Sequence, residues 1–274
     1  MSAGPVVRDR FVTVNGLRLR YRDWGGAGAP FLALHGMAAH AHWWDFVARR
    51  IAARVRVIAL DLRGHGRSAW PSPPAYSTRD FTGDVLGVIE RLDLRDVTLA
   101  GHSLGGHIAA AFAAWHPDRL ARLVVLDTRP GFNRDRLRAR QELARSRSLE
   151  FSTRAAALAR FRLRPGGSIA AADVTAAIAA HGVRRLAPGR WAYRFDPMCE
   201  GTRVPIVLWL LLRRIAAPTL VVRGERSIIL PRPMAERMVS VIPSARLDEI
   251  PGAHHHVTLD APDAVARTLL AWLR

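Results

Sequence analysis

The stretch from Asp96 to His116, DVTLAGHSLGGHIAAAFAAWH, constrains this chain more than any other. Val97 to Ala100 is a short apolar run of strand character, and from Ile108 to Trp115 apolar residues recur at helical spacing. Between them lies Gly101-His102-Ser103-Leu104-Gly105-Gly106, so the chain reads as strand, sharp turn and helix. A serine on so tight a turn must adopt a strained backbone conformation, and the residues two before and two after it must be small enough for strand and helix to pass closely. Gly101 and Gly105 meet that requirement. The hydroxyl of Ser103 would then stand proud of a sheet, beside the amide of Leu104 at a helix N-terminus.

GxSxG alone is a weak pattern, and its flanks give it meaning. Set between this strand and this helix, it resembles the nucleophile turn of the α/β-hydrolase superfamily. The resemblance covers nearly the whole chain and is weakest between Thr128 and Leu212. It implies an α/β fold with a mostly parallel sheet flanked by helices and a helical cap inserted after the sixth strand.

The other segments fit that frame. Phe11 to Val14 and Leu17 to Tyr21 alternate apolar and polar residues around Asn15-Gly16, a strong hairpin signal. Phe31 to Leu34 is an apolar strand running into His35-Gly36-Met37. The resemblance implies that the amide of Met37 faces the same space as that of Leu104, the two forming an oxyanion hole, while His35 reads as a brace for the turn. Val55 to Leu60 is a buried strand, followed by Asp61 to Ser68, which is similar to the DxxGxGxS turn of the superfamily and marks the fold without chemistry. Asp80 to Leu92 fits a helix, and Leu120 to Leu126 a strand that ends at Asp127.

Residues 128–214 are the cap assignment, between core parts 1–127 and 215–274. Arg134, Arg136, Arg138, Arg140, Arg145 and Arg147 crowd its first part and read as a solvated helix face. Ser168 is placed to cap a helix over Ile169 to Ala180, and the apolar Val204 to Leu212 is expected to pack in the core. The core resumes with a strand at Pro218 to Val222 and a helix at Pro231 to Val239. A last strand at Ala245 to Ile250 and an amphipathic helix at Ala261 to Leu273 close the chain.

Serine needs a base whose pKa lies near working pH, which points to histidine. The sequence offers three in a row, in Pro251-Gly252-Ala253-His254-His255-His256. Laid on the superfamily pattern, His255 takes the base position, with Val257, Asp260 and Pro262 matching downstream and His254 as the alternative. The imidazole in turn needs a carboxylate to fix its tautomer. Most of the superfamily carries that acid after the seventh strand, where this chain has Gly224-Glu225-Arg226-Ser227-Ile228 and no aspartate. Asp127, at the end of the sixth strand, is the favoured acid. Glu225 is the alternative, and loss of the acid altogether is the third reading.

Composition sets the remaining bounds. A chain of 274 residues suits one α/β domain with an insertion. The single Cys199 excludes an internal disulfide and fits a reducing compartment. No secretory signal or membrane-spanning run is legible, so a cytoplasmic location is expected. All 41 basic residues are arginine and the net charge is +18, as a GC-rich genome would produce or as attraction to an anionic partner or surface would require. No nucleic-acid module is legible, and three successive histidines on a short loop do not suit one metal ion. The resulting expectation is a serine hydrolase acting on a small carboxylic ester or related acyl compound, with no metal or organic cofactor. Carbon-carbon bond hydrolysis, thioester hydrolysis with the arginine-rich cap docking an acidic carrier, and a catalytically weak binding protein are the alternatives.

Overall fold

The computed structural model describes residues 7–146 and 150–274. Strands β1 (Arg8–Val14) and β2 (Leu17–Asp23) form the expected hairpin, with Asn15 and Gly16 at φ 50° and 75° in the tight turn. Then come β3 (Pro30–Leu34), a 3₁₀ turn at Ala41–Trp44, α1 (Asp45–Ile51), β4 (Arg56–Leu60) and α2 (Thr78–Arg91). The α2 helix starts two residues before the expected position because Ser77 and Asp80 close a reciprocal capping box. Next are β5 (Thr98–His102), α3 (Leu104–Trp115) and β6 (Arg122–Leu126).

The segment after β6 holds α4 (Arg134–Ser146), β7 (Glu150–Phe151), α5 (Arg154–Arg160), α6 (Ala172–His181), β8 (Val183–Ala187), β9 (Arg190–Tyr193) and α7 (Met198–Gly201). The main sheet is completed by β10 (Thr219–Gly224) and β11 (Ala245–Ile250), with α8 (Arg232–Val241) between them and α9 (Val257–Asp260) and α10 (Pro262–Trp272) at the end.

The eight-stranded sheet has the order β1-β2-β4-β3-β5-β6-β10-β11. The hairpin joins it antiparallel, and every pair from β4 to β11 is parallel. Alternate side chains fill two cores. Leu32, Leu34, Ile58, Leu60 and Leu99 face α2, α3 and α8, whereas Phe31, Ala33, Val57, Ala59 and Ala100 face α1 and α10. From β3 the chain moves first to β4 on one side and later to β5 on the other. The strand order therefore reverses between β3 and β5, the kind of switch point beyond whose strand ends open α/β sheets place their sites.

The insertion departs from three expectations. It is not helical throughout, since β7, β9 and β8 form a small antiparallel sheet turned by Gly189 at φ 68°. Ser168 does not cap a helix either, because α6 begins at Ala172 and the Ser168 hydroxyl instead donates to the Asp260 carboxylate. The α4 helix carries Arg134, Arg136, Arg138, Arg140 and Arg145 and buries none of its residues, as a solvated face should, while Arg147 lies outside the described residues. Leu208 and Leu212 pack into the core, but Val204 and Leu210 are exposed, so the apolar run is only partly core. Among the described residues no helix is long and apolar enough to cross a membrane.

Candidate active site

Ser103 sits at the sharp turn between β5 and α3, with φ 54° and ψ −113°. The close passage that the sequence demanded is visible in the glycines. A Cβ on Gly101 would lie 2.2 Å from the backbone of Gly105, and one on Gly105 would lie 2.4 Å from the carbonyl oxygen of Leu34. Neither position has room for a side chain, so β5, α3 and β3 meet there as bare backbone. Leu104 opens α3, and the amides at that end carry the partial positive charge of a helix N-terminus.

The β3 loop flanks the serine, since a Cβ on Gly36 would lie 3.3 Å from Ser103 Cβ. Within it the Ala38 amide donates to His65 Nε2 at 3.1 Å and the Ala39 amide to the Gly36 carbonyl at 3.3 Å. These bonds fix the chain on either side of Met37, whose amide has no hydrogen-bonding acceptor among the described residues. His35 braces the same turn by accepting from the Leu62 amide at 3.1 Å.

Three residues far apart in the sequence form one hydrogen-bonded row. His255 Nε2 lies 3.1 Å from Ser103 Oγ, and His255 Nδ1 lies 2.8 Å from Asp127 Oδ1. Asp127 stands just past β6 with φ 42°, a left-handed conformation that costs a non-glycine residue energy. Its amide donates to the Val222 carbonyl at 2.7 Å, and its Oδ2 accepts from the Gly224 amide at 2.8 Å, so β10 holds it from both ends.

Two partners of this row were not assigned from the sequence. The Ser227 hydroxyl donates to Asp127 Oδ1 at 2.6 Å, and Ser227 lies with Ile228 in the stretch after β10 where the superfamily's aspartate was expected. A serine there cannot supply a charge, but it can hold one supplied by the neighbouring strand. His102, next to the serine, donates from Nε2 to the His255 carbonyl at 2.8 Å and so anchors the backbone of the imidazole. Its place in the GHSLGG motif was the available signal.

The alternatives lie elsewhere. Glu225 is exposed and accepts from the Gly252 amide at 2.6 Å, bracing the loop before the histidines without meeting His255. The His254 amide donates to Asp260 at 2.9 Å and its ring faces Gly167. His256 packs against Trp43 and lies 3.1 Å from the Pro165 carbonyl. The triplet itself does not converge, yet His255 and His256 are joined by His102, with one nitrogen of each ring within 4.8 Å of the others. Both nitrogens of His255 are already engaged by Asp127 and Ser103.

Burial dominates the electrostatics. It pushes the Asp127 carboxyl up to about 6 against the opposing pull of the Ser227 and Gly224 hydrogen bonds. It pushes His255 down to about 4, with the nearby Arg129 guanidinium adding to the effect. At pH 7 the row therefore holds an ionised carboxylate and a neutral imidazole beside the serine, the protonation state a general base requires.

Residues 31–268 match the model of the alpha/beta hydrolase family. The chain belongs to that family. Across nearly its full length this α/β-hydrolase is similar to a non-heme haloperoxidase of Rhodococcus erythropolis, with 29% identity over 96% of this chain and 98% of the relative. It is also similar to a 2-(acetamidomethylene)succinate hydrolase of Mesorhizobium japonicum, with 26% identity over 97% of both. Against several curated relatives of 37–39% identity, the matched stretch spans only 34–38% of their length. Among solved structures, the α/β-hydrolase superposes on an E-2-(acetamidomethylene)succinate hydrolase with a TM-score of 0.85 at 24% identity, covering 98% and 99% of the two chains. A thermophilic esterase from Thermogutta terrifontis gives a TM-score of 0.77 at 25% identity over 97% and 98%.

Proposed function

We propose that this chain is a serine hydrolase cleaving a small carboxylic ester or related acyl compound. Ser103 Oγ attacks the carbonyl carbon as His255 Nε2 takes its proton, and Asp127 holds the imidazole in the required tautomer and stabilises the imidazolium. The amides of Met37 and Leu104 receive the developing oxyanion, each donor lowering the barrier by about 3 kcal/mol. The imidazolium then protonates the leaving group. Water, deprotonated by the same histidine, releases the acyl group and restores the serine. The scheme assigns no step to a metal or organic cofactor. Residues 128–214 act as a cap over the site, and their contact with the loop after β3, where Ile178 packs with Ala39 and Trp43, supports that role.

The observation that carries the reading is the continuous hydrogen-bonded row from Ser103 through His255 to Asp127. It also weighs against the binding-protein alternative, whose motive was a missing acid. The full-length match to a relative named for hydrolysis of 2-(acetamidomethylene)succinate supports a small acyl substrate. One relative, 36% identical over 43% of this chain, is named a 2-hydroxymuconate semialdehyde hydrolase, which keeps carbon-carbon bond hydrolysis as the second reading of the same machinery.

The test is turnover of a short-chain 4-nitrophenyl ester panel by wild type, Ser103→Ala, Asp127→Asn and Glu225→Gln, each first shown to be folded. The proposal requires that Ser103→Ala and Asp127→Asn lose activity while Glu225→Gln keeps it. An Asp127→Asn enzyme as active as wild type would remove Asp127 from the mechanism. Turnover of a vinylogous diketone with none of the esters would shift the assignment to carbon-carbon cleavage.

A further inference from the structure

A cavity of about 290 Å³ opens at the seam between the core and the inserted segment, and none of Ser103, Asp127 and His255 lines it. Four guanidiniums face it: Arg20 and Arg22 from β2, Arg67 from the turn after β4, and Arg194 from the insertion just past β9. Only two carboxylates, Asp9 and Asp61, share its walls.

The charges do not balance locally. Asp9 lies 2.7 Å from Arg20, 2.9 Å from Arg22 and 3.6 Å from Arg67, and Arg22 has a second partner in Asp45 at 2.9 Å, so three carboxylates with Asp61 stand against four cations. Asp61 is fully buried, and besides pairing with Arg20 at 3.1 Å it accepts from the amides of Ala41 and Arg67. Arg194 makes no ion pair among the described residues, its Nε donating to the Val183 carbonyl at 3.0 Å. Burial, followed by the neighbouring Arg67 and Arg184, holds the Arg194 guanidinium below its ordinary range, as expected where positive charge is under-compensated.

On the lining residues Arg20 Nε is buried without a hydrogen-bond acceptor, Arg20 being only 1% exposed, while His40 donates from Nε2 to the Ile178 carbonyl at 3.1 Å and keeps a bare, buried Nδ1. Buried donors without acceptors are costly and uncommon in folded proteins. His42 and His181 stack at 3.6 Å beside them. Three imidazoles around a cavity would suit a metal ion, but four guanidiniums repel any cation and select an anion instead. A monocarboxylate offers one charge and two oxygens. A tetrahedral dianion offers two charges and acceptors in every direction, which fits forks converging from separate elements.

We infer that this cavity binds a phosphoryl dianion, either free phosphate or the head of a phosphate monoester, at a site separate from the reactive row. The occupant joins β2 and the β4 turn to the insertion through Arg194. Its site also shares the loop after β3, whose first residues flank Ser103 and whose His40 and His42 line the cavity.

The experiment is calorimetric titration of the full chain with sodium phosphate, glycerol 3-phosphate and succinate, each against sodium chloride of matched ionic strength, together with thermal unfolding in the same solutions. Wild type is expected to bind a phosphoryl ligand saturably at one site per chain and to unfold at higher temperature in its presence. Arg194→Gln should weaken binding at least tenfold, and Arg67→Gln, on the rim, should weaken it less. The tighter of phosphate and glycerol 3-phosphate identifies the source of the dianion. Absence of saturable binding, succinate binding as tightly as phosphate, or unchanged affinity in a folded Arg194→Gln protein would overturn the inference.

Discussion

Replacing Ser227 by alanine removes one donor from the Asp127 carboxylate and leaves the rest of the row standing. In the intact protein Oδ1 accepts from Ser227 at 2.6 Å and from His255 at 2.8 Å, and Oδ2 accepts from the Gly224 amide at 2.8 Å. A hydrogen bond to a charged group contributes about 1.5–3 kcal/mol, and one pKa unit corresponds to about 1.4 kcal/mol. The bond favours the ionised carboxylate, so its deletion moves the carboxyl upward by about one to two units from its starting point of about 6. The proton belongs to the coupled pair of Asp127 and His255, and once bound it removes the general base. On an ester the proposed enzyme accepts, kcat/KM at pH 7 should therefore fall about two- to tenfold in Ser227→Ala and recover by pH 9. The assay is the pH profile of kcat/KM, corrected for spontaneous hydrolysis. Ser227 Oγ also accepts from the amides of Ile229 and Leu230, so denaturant unfolding must be measured alongside to separate lost stability from a shifted profile. A Ser227→Ala profile that overlies wild type would refute the argument that this hydroxyl tunes the acid.

Gly101→Ala should fail at the level of folding or of the turn itself, because its Cβ would meet Gly105 backbone at 2.2 Å. We expect a loss of at least about 3 kcal/mol in denaturant unfolding, and a loss below about 1 kcal/mol would contradict the packing account. Acid should unfold the protein well before its carboxylates are exhausted. His35, His40, His65, His107, His255 and His256 are all held by burial at pKa values of about 3 to 4, below the ordinary 6.5. The unfolded chain binds these protons first, so each histidine contributes stability that is present above pH 6.5 and lost as pH falls toward 4, by up to about 1.4 kcal/mol per pH unit. The raised carboxyl of Asp127 runs the other way between about 4 and 6, but it is a single group against six. Circular dichroism should show a steep transition between pH 6 and 4, and a fold unchanged at pH 4 would show that the buried imidazoles are not held neutral.

The parts of the fold legible in the sequence were those where backbone geometry leaves no choice. Asn15-Gly16 set the hairpin register, and Gly101 and Gly105 fixed a turn that tolerates no side chain at either place. The near-continuous apolar runs Phe31 to Leu34 and Val55 to Leu60 reported strands buried on both faces. The insertion was less legible because its elements are short and mostly exposed. The two-residue β7 pairs with β9 forty residues away, and no local pattern announces such a contact. Ser168 looked like a helix cap but bonds Asp260, a partner 92 positions distant. Asp127 could be nominated from its place at a strand end, whereas its grip by Ser227 and Gly224 needed β10 laid beside β6. The cavity at Arg20, Arg67 and Arg194 was hidden in an arginine excess that composition alone explains equally well.

The central claim is that Ser103 is a nucleophile activated through His255 by Asp127, and covalent labelling tests it without knowledge of the substrate. The folded protein would be incubated with a fluorophosphonate and the adduct located by peptide mass spectrometry, with Ser103→Ala and Asp127→Asn as comparisons. The account predicts a single adduct on Ser103, none in Ser103→Ala, and labelling slowed by at least about a hundredfold in Asp127→Asn. An adduct on another residue, no adduct at all, or equal labelling rates in wild type and Asp127→Asn would contradict it.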